Sequence, residues 1–244
     1  MAQAANLIKP ATMENLFVYP DSDGAPMAEN TIQYRYIVTI QPELDSLFAD
    51  DPNVFVAADL FWYPVEGHPE IRNAPDTMVA FGRPKGDRGS YKQWEEGGIA
   101  PQVVFEIVSP SNTWGEMYKK RKFYQQYGVE EYYEYDPQIG ALEIWLRDGK
   151  AFKPVVDATE WRSARLGVTL RLEENGELSL YRPDGRKFLT PVEQEARARD
   201  AESKARDAES KARDAQERAR LAEQANEQLA AKLRELGVDP TSLT

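Results

Sequence analysis

The sequence contains no cysteine. That absence removes disulfides, thiolate zinc centres and cysteine nucleophiles, and it gives no sign of an oxidising compartment. Histidine is almost as scarce. His68 stands alone, inside the Pro- and Gly-rich stretch YPVEGHPE, where a solvated loop side chain is the plain expectation. Histidine triads and histidine zinc clusters fall with it. Long apolar runs are missing too: no stretch reaches the about 18 residues that a membrane helix needs. The N-terminus lacks the basic-then-apolar pattern of a secretory signal, so the expectation is a cytoplasmic protein without a membrane partner. Positive charge is in deficit, with a formal net charge of -11, nearly all of it ahead of Pro191. This balance argues against a broad basic nucleic-acid platform. It leaves room for an acidic metal site, where a bound cation draws phosphate in.

What the chain does have is enough apolar residue for one real core, up to about Leu189. After Pro191 the composition turns abruptly to Ala, Glu, Arg, Lys and Asp. We therefore read an irregular segment over 1–26, a globular domain over 27–190 and a helical tail over 191–240. Within the domain, apolar Ile32, Tyr36, Ile37, Ile40, Leu44 and Leu47 recur at helical spacing, predicting a helix from Met27 to about Phe48 that Pro42 shortens or kinks. VFVAADLFWYP (54–64) and TMVAFG (77–82) read as strands. VVFEIVS (103–109) is the most apolar run and reads as a central strand buried on both faces. Pro110 ends it, Ser111 or Asn112 can cap a helix over about 113–127, and Gly128 is a natural stop. EYYEYDP (131–137) and ALEIWLR (141–147) read as a hairpin, with shorter strands around 152–156, 168–173 and 177–182. The pattern is α+β: a mixed sheet with few helices.

Three residues stand out chemically. Glu106 sits in the middle of the most apolar strand, where an unpartnered carboxylate would cost several kcal/mol. Asp76 follows Pro75 at the start of a strand. Lys119, Lys120 and Lys122 lie on the helix after the Glu106 strand. Hydrolysis of a phosphodiester wants converging carboxylates for a hard divalent ion, plus a cation beside the attacking water. Each residue also has an ordinary reading: a turn aspartate, a paired buried glutamate, a solvated lysine face. Ser109 and Ser111 more simply end a strand and cap a helix than bind phosphate. Tyr124, Tyr127, Tyr132, Tyr133 and Tyr135 are expected to fill the core and its rim rather than stack on bases.

The stretch APDTMVAFG…APQVVFEIVSPSNTWGEMYKKRKFYQQYGVEEYYEYDP resembles the Uma-type restriction endonuclease family, a branch of the PD-(D/E)XK nuclease superfamily. The likeness runs from DGAPMAEN (23–30) to DGRKFLTP (184–191). It implies a restriction-endonuclease-like mixed sheet and a metal-dependent endonuclease acting on DNA, with Mg²⁺ or Mn²⁺ as cofactor. Asp76 and Glu106 would be metal ligands, joined by the main-chain carbonyl of Ile107. Lys120 would act on the water or the phosphate. The superfamily commonly carries this lysine two residues after the acid, where this chain has Val108, so the helix must supply it. Glu29 is a further candidate. Three positions differ from the common family pattern: Gln102, Glu116 and, in place of a frequent histidine, Gln33. A catalytically idle module that binds nucleic acid or a partner is the alternative the same fold allows.

From Arg199 a seven-residue unit repeats: RDAESKA, RDAESKA, RDAQERA, RLAEQAN, EQLAAKL. With Ala205, Ala212, Ala219, Asn226 and Leu233 at a, the d positions are Ala201, Ala208, Ala215, Ala222, Leu229 and Leu236. Lysine and arginine fall at g and glutamate at e, the arrangement of a parallel coiled coil, and a homodimer through this helix is expected. A lone helix held by local ion pairs is the competing reading, because alanine buries little area.

Overall fold

Asn30 opens the first helix of a computed structural model that describes residues 18–22, 24, 27–235 and 237. Most of the expected irregular segment 1–26 lies outside these residues. Helix α1 spans Thr31–Leu47, and the Asn30 side chain accepts the Ile32 and Gln33 N–H groups, satisfying donors that a helix start leaves orphaned. It therefore starts later than the periodicity implied. Pro42 lies inside it without ending it. The N–H it lacks would have met the carbonyl of Val38, a partly exposed residue, which water can serve.

Six strands form the main sheet in the order β1-β3-β5-β6-β7-β8: Val54–Ala57, Thr77–Phe81, Val103–Ile107, Glu131–Asp136, Ala141–Asp148 and Ala151–Pro154. Every pairing is antiparallel except β5 with β6. That parallel step needs a crossover, supplied by helix α2, Trp114–Tyr127. The run 54–64 is two strands rather than one: β1 and the short β2 (Trp62–Tyr63) flank Asp59, whose φ of 49° turns the chain. Strand β2 pairs with β4 (Tyr91–Lys92), and β9 (Glu160–Arg162), β10 (Thr169–Leu172) and β11 (Leu178–Tyr181) make a third sheet. Strands β4 and β9 carry too few residues to show a period.

The sheet is buried on both faces. Tyr36, Ile40 and Leu44 of α1 join Val79, Phe105 and Tyr133, together with Leu170 and Leu180 of the three-stranded sheet. On the opposite face Tyr124 of α2 joins Trp62, Met78, Tyr91, Val104 and Tyr132. Strand β5 contributes to both layers, so its five residues are all buried.

The small sheet is brought up to the large one by two hairpin turns in backbone contact. A Cβ on Gly140, whose φ is +62°, would lie 2.8 Å from the Cα of Gly176, and Tyr135 Oη donates to the Gly176 carbonyl at 2.8 Å. Gly140→Ala is expected to cost about 2 kcal/mol through left-handed strain and collision. Urea denaturation would read this as a lower midpoint at unchanged slope; an unshifted midpoint would show that the two turns part freely.

From Pro191 onward the described residues form a second unit. Its helix α3, Pro191–Glu235, has no buried residue. Pro191 occupies the first turn, where its missing N–H is harmless. Ion pairs one turn apart, such as Asp200–Lys204 and Glu202–Arg206, run along its surface. The expected d position Leu236 lies outside the described residues.

Candidate metal centre

Strand register assembles the site. Thr77 pairs with Phe105 as the last pair of the antiparallel β3–β5 ladder. Asp76, the bend residue just ahead of β3, comes next to the Glu106–Ile107 end of β5, where it accepts the Ile107 N–H. Two carboxylates thirty residues apart in sequence are thereby brought close enough for the Glu106 charge to act on Asp76. Glu106 points toward the α2 side of the sheet and is 1% exposed. Lys120 Nζ donates to its Oε2 at 2.7 Å, and the Tyr124 hydroxyl donates to its Oε1. Lys120 and Tyr124 are four residues apart on α2, hence on one helical face.

Asp76 is buried as well. Its Oδ2 accepts the Ile107 N–H at 2.7 Å. Gln33 Nε2, from α1, lies 3.3 Å from each Asp76 oxygen and 3.2 Å from the Ile107 carbonyl. Burial and, next, the Glu106 charge push the Asp76 carboxyl up to about 7. Burial alone would lower Lys120, but the charges of Glu106 and Asp76 outweigh it and hold the amine above its ordinary value. Lys120 is therefore an ammonium at neutral pH. The Tyr124 hydroxyl, buried beside the Glu106 charge, is raised well above the usual phenol range and stays protonated.

The electrostatic balance is uneven. Two buried carboxylates face one ammonium, and the shortfall is met by a proton affinity on Asp76 near neutrality and by the polarised N–H₂ of Gln33. A divalent cation fits that deficit. The oxygens available are those of Asp76, the Ile107 carbonyl and the second lone pairs of Glu106, since each carboxylate oxygen can accept more than one bond. Among the described residues no group of three or more His, Cys, Asp or Glu converges. A cation here would hence keep several waters, as Mg²⁺ commonly does.

The site opens into a cleft of about 350 Å³ whose wall includes Glu29, Gln33, Arg72, Asn112, Asp76 and Lys120. Glu29 shares the cleft, but the hydroxyls of Ser109 and Ser111 hold its carboxylate. The expectation that Ser111 or Asn112 caps α2 is corrected. Thr113 is the cap, in a reciprocal box with Glu116, because its hydroxyl alone reaches the N3 amide while Asn112 accepts from Ser109 N–H. Arg72 lies over the Phe61 ring, 4.9 Å from its centroid, with Nη1 donating to the Pro69 carbonyl at 3.0 Å. A larger hollow of about 460 Å³ elsewhere, lined by Lys85 and Arg88 among others, has these cations paired to Asp45 and Glu96. Its carboxylates, Asp45 and Asp87, are exposed rather than buried. His68 is exposed beside Glu70, and Tyr124, Tyr132, Tyr133 and Tyr135 are core residues.

Sequence reasoning missed Gln33 and Tyr124 as parts of this cluster. For Tyr124 a signal existed, its i,i+4 relation to Lys120. For Gln33 the signal was its place where the resembled family frequently has a histidine, but its reach to Asp76 depends on where α1 lies.

A family model described as "Uma2: Putative restriction endonuclease" matches residues 27–193. Among solved structures, a putative nuclease from Anabaena variabilis is similar at 13% identity and a TM-score of 0.43, over 65% of this chain and 92% of that one. No curated protein matches.

Proposed function

Because this chain belongs to the Uma2 family, we propose that it is a divalent-metal-dependent endonuclease that hydrolyses phosphodiester bonds of DNA. The observation that carries this reading is the buried Asp76–Glu106 pair, short of positive charge, with Lys120 Nζ 2.7 Å from Glu106. Asp76, Glu106 and the Ile107 carbonyl would hold Mg²⁺ or Mn²⁺. Such an ion, when bound, supplies neutralisation of the phosphate and a more acidic water.

The remaining work falls to the chain's own groups. Tyr124 fixes one Glu106 oxygen, and the backbone N–H of Ile107 fixes one oxygen of Asp76, so the ligand geometry is set before substrate arrives. In the metal-free protein the charges of Glu106 and Asp76 keep Lys120 an ammonium, and from this place it would orient the attacking water or stabilise charge on a phosphate oxygen. Arg72, on the same cleft wall, gives the substrate phosphate a second cation in a chain of net charge -11.

The test supplies purified protein with Mg²⁺ or Mn²⁺ and with plasmid and short duplex substrates. Lys120→Ala is expected to lower cleavage by about a hundredfold or more while calorimetry still detects metal. Undiminished cleavage by this variant would assign the chemistry elsewhere. A second reading has one observation in its favour, that both Glu106 oxygens are already engaged. It is an idle nuclease fold that binds without cutting, and it requires the absence of any carboxylate-dependent metal binding.

A further inference from the structure

We propose that the outer face of α2 carries a stacking platform for an unpaired base of the substrate strand, formed by Trp114 and Tyr118 and flanked by Lys119 and Lys122. The substrate class rests on the nuclease reading above; the surface stands on its own observations. Trp114 is 77% exposed and Tyr118 40%, whereas the other four tryptophans are buried or half-buried. Their rings lie nearly parallel, 5.3 Å between centroids at 15°. Such large apolar rings ordinarily bury most of their area, so a stacked pair left in water offers a face for a third ring.

Charge decides which ring. The sequence of α2, WGEMYKKRKFYQQY, holds four cations and one acid, within a chain of net charge -11. Glu116 is spent on the helix cap, and Arg121 pairs with Glu143. Lys119 and Lys122 are exposed and form no ion pair among the described residues, and Lys122 Nζ lies 5.5 Å from the Tyr118 ring centroid. Aromatic faces bordered by unpaired ammonium groups match a base and its phosphates. Two rings are too small an area for a stable protein interface, which needs about 800 Å² per partner.

Position supports the assignment. Trp114, Tyr118 and Lys122 follow at four-residue steps on one stripe of the helix, while Met117, Lys120 and Tyr124 take another face. The stripe starts two residues after Asn112, part of the cleft wall. Trp114 is six residues from Lys120, about 9 Å along the axis and roughly a third of a turn around it. One helix thus carries the amine at the reactive site and a grip on the same strand nearby.

The test measures fluorescence anisotropy of a labelled single-stranded oligonucleotide and its duplex, in EDTA, with the full-length protein. The Trp114→Ala/Tyr118→Ala variant is expected to weaken single-strand binding by about tenfold or more at an unchanged salt slope. Lys119→Ala/Lys122→Ala should instead flatten that slope. Exposed positions on an intact helix keep the fold, checked by circular dichroism. Wild-type binding by the ring variant overturns the platform, as does failure of the wild type to bind either oligonucleotide. A shift in sedimentation caused by the ring variant, with oligonucleotide binding unaltered, would reassign the rings to a protein contact and also overturn it. Parallel cleavage assays of Glu106→Gln keep the two ideas apart. Glu106-dependent cleavage with indifferent rings sinks the platform alone, and ring-dependent binding with Glu106-independent cleavage sinks the assigned metal site alone.

Discussion

Glu106→Gln is expected to abolish divalent-metal binding in calorimetry and to lower cleavage by about a thousandfold. The amide keeps the size of the carboxylate and an acceptor for the Tyr124 hydroxyl. It loses the charge that balances Lys120, with which it forms a 2.7 Å bond, and that a cation would require. Removing one member of a buried pair costs about 3–5 kcal/mol when the survivor is fully enclosed. Lys120 retains 27% side-chain exposure, so the expected loss is smaller, about 2 kcal/mol. The Asp76 carboxyl should meanwhile fall below its value of about 7, because the Glu106 charge that helps to raise it is gone. Carbon-detected NMR titration of the metal-free variant would record that fall. Metal binding of ordinary stoichiometry in Glu106→Gln would remove this residue from the site.

Asp76→Asn should separate stability from function in opposite directions. Burial, then the Glu106 charge, lifts the folded Asp76 to about 7 from 3.8. The folded state therefore binds the proton more tightly than the unfolded one. Protonation linkage then favours folding most below the unfolded value. That contribution fades as pH rises through the window from about 4 to about 7. At pH 8 the metal-free wild type bears the full cost of a buried carboxylate, with an upper bound of roughly 4 kcal/mol for a shift of this size. Asparagine avoids the charge and can still accept from the Ile107 N–H. Its amide donor, however, meets the Gln33 donor, which reduces the gain to about 1–3 kcal/mol. Urea midpoints without metal should thus be higher for Asp76→Asn at pH 8 and should converge with wild type near pH 4. Saturating Mg²⁺ should raise the wild type alone, since only it binds the ion. A variant less stable than wild type at pH 8 would mean that the carboxylate is already compensated.

Much of the candidate site was legible one residue at a time. Glu106 announced itself as the single charge in the most apolar run, and β5 is indeed buried on both faces because it feeds two core layers. Lys120 lies on a helix whose stop, Gly128, adopts the left-handed conformation its sequence suggested. Tyr132, Tyr133 and Tyr135 fill the core, as strand alternation on a two-faced sheet requires. The Thr113 cap was missed because several adjacent polar residues compete for one amide, and geometry rather than residue type selects among them. Strands β4 and β9 were missed for want of length: two or three residues have no measurable period, and neighbouring strands hold them in place.

Local chemistry along the chain was enough to place the helical character of α2 and α3 and the central strand. These depend on residue type and short-range spacing, which the backbone reads within a few residues. Only the tertiary structure decided that Asp76 comes next to the Glu106–Ile107 end of β5, that Gln33 bridges Asp76 to the Ile107 carbonyl, and that Trp114 and Tyr118 remain in solvent. Each of these follows from ladder register or from helix placement on the sheet. Both are fixed by burial and hydrogen bonding summed over residues far apart in the chain, so no local pattern encodes them.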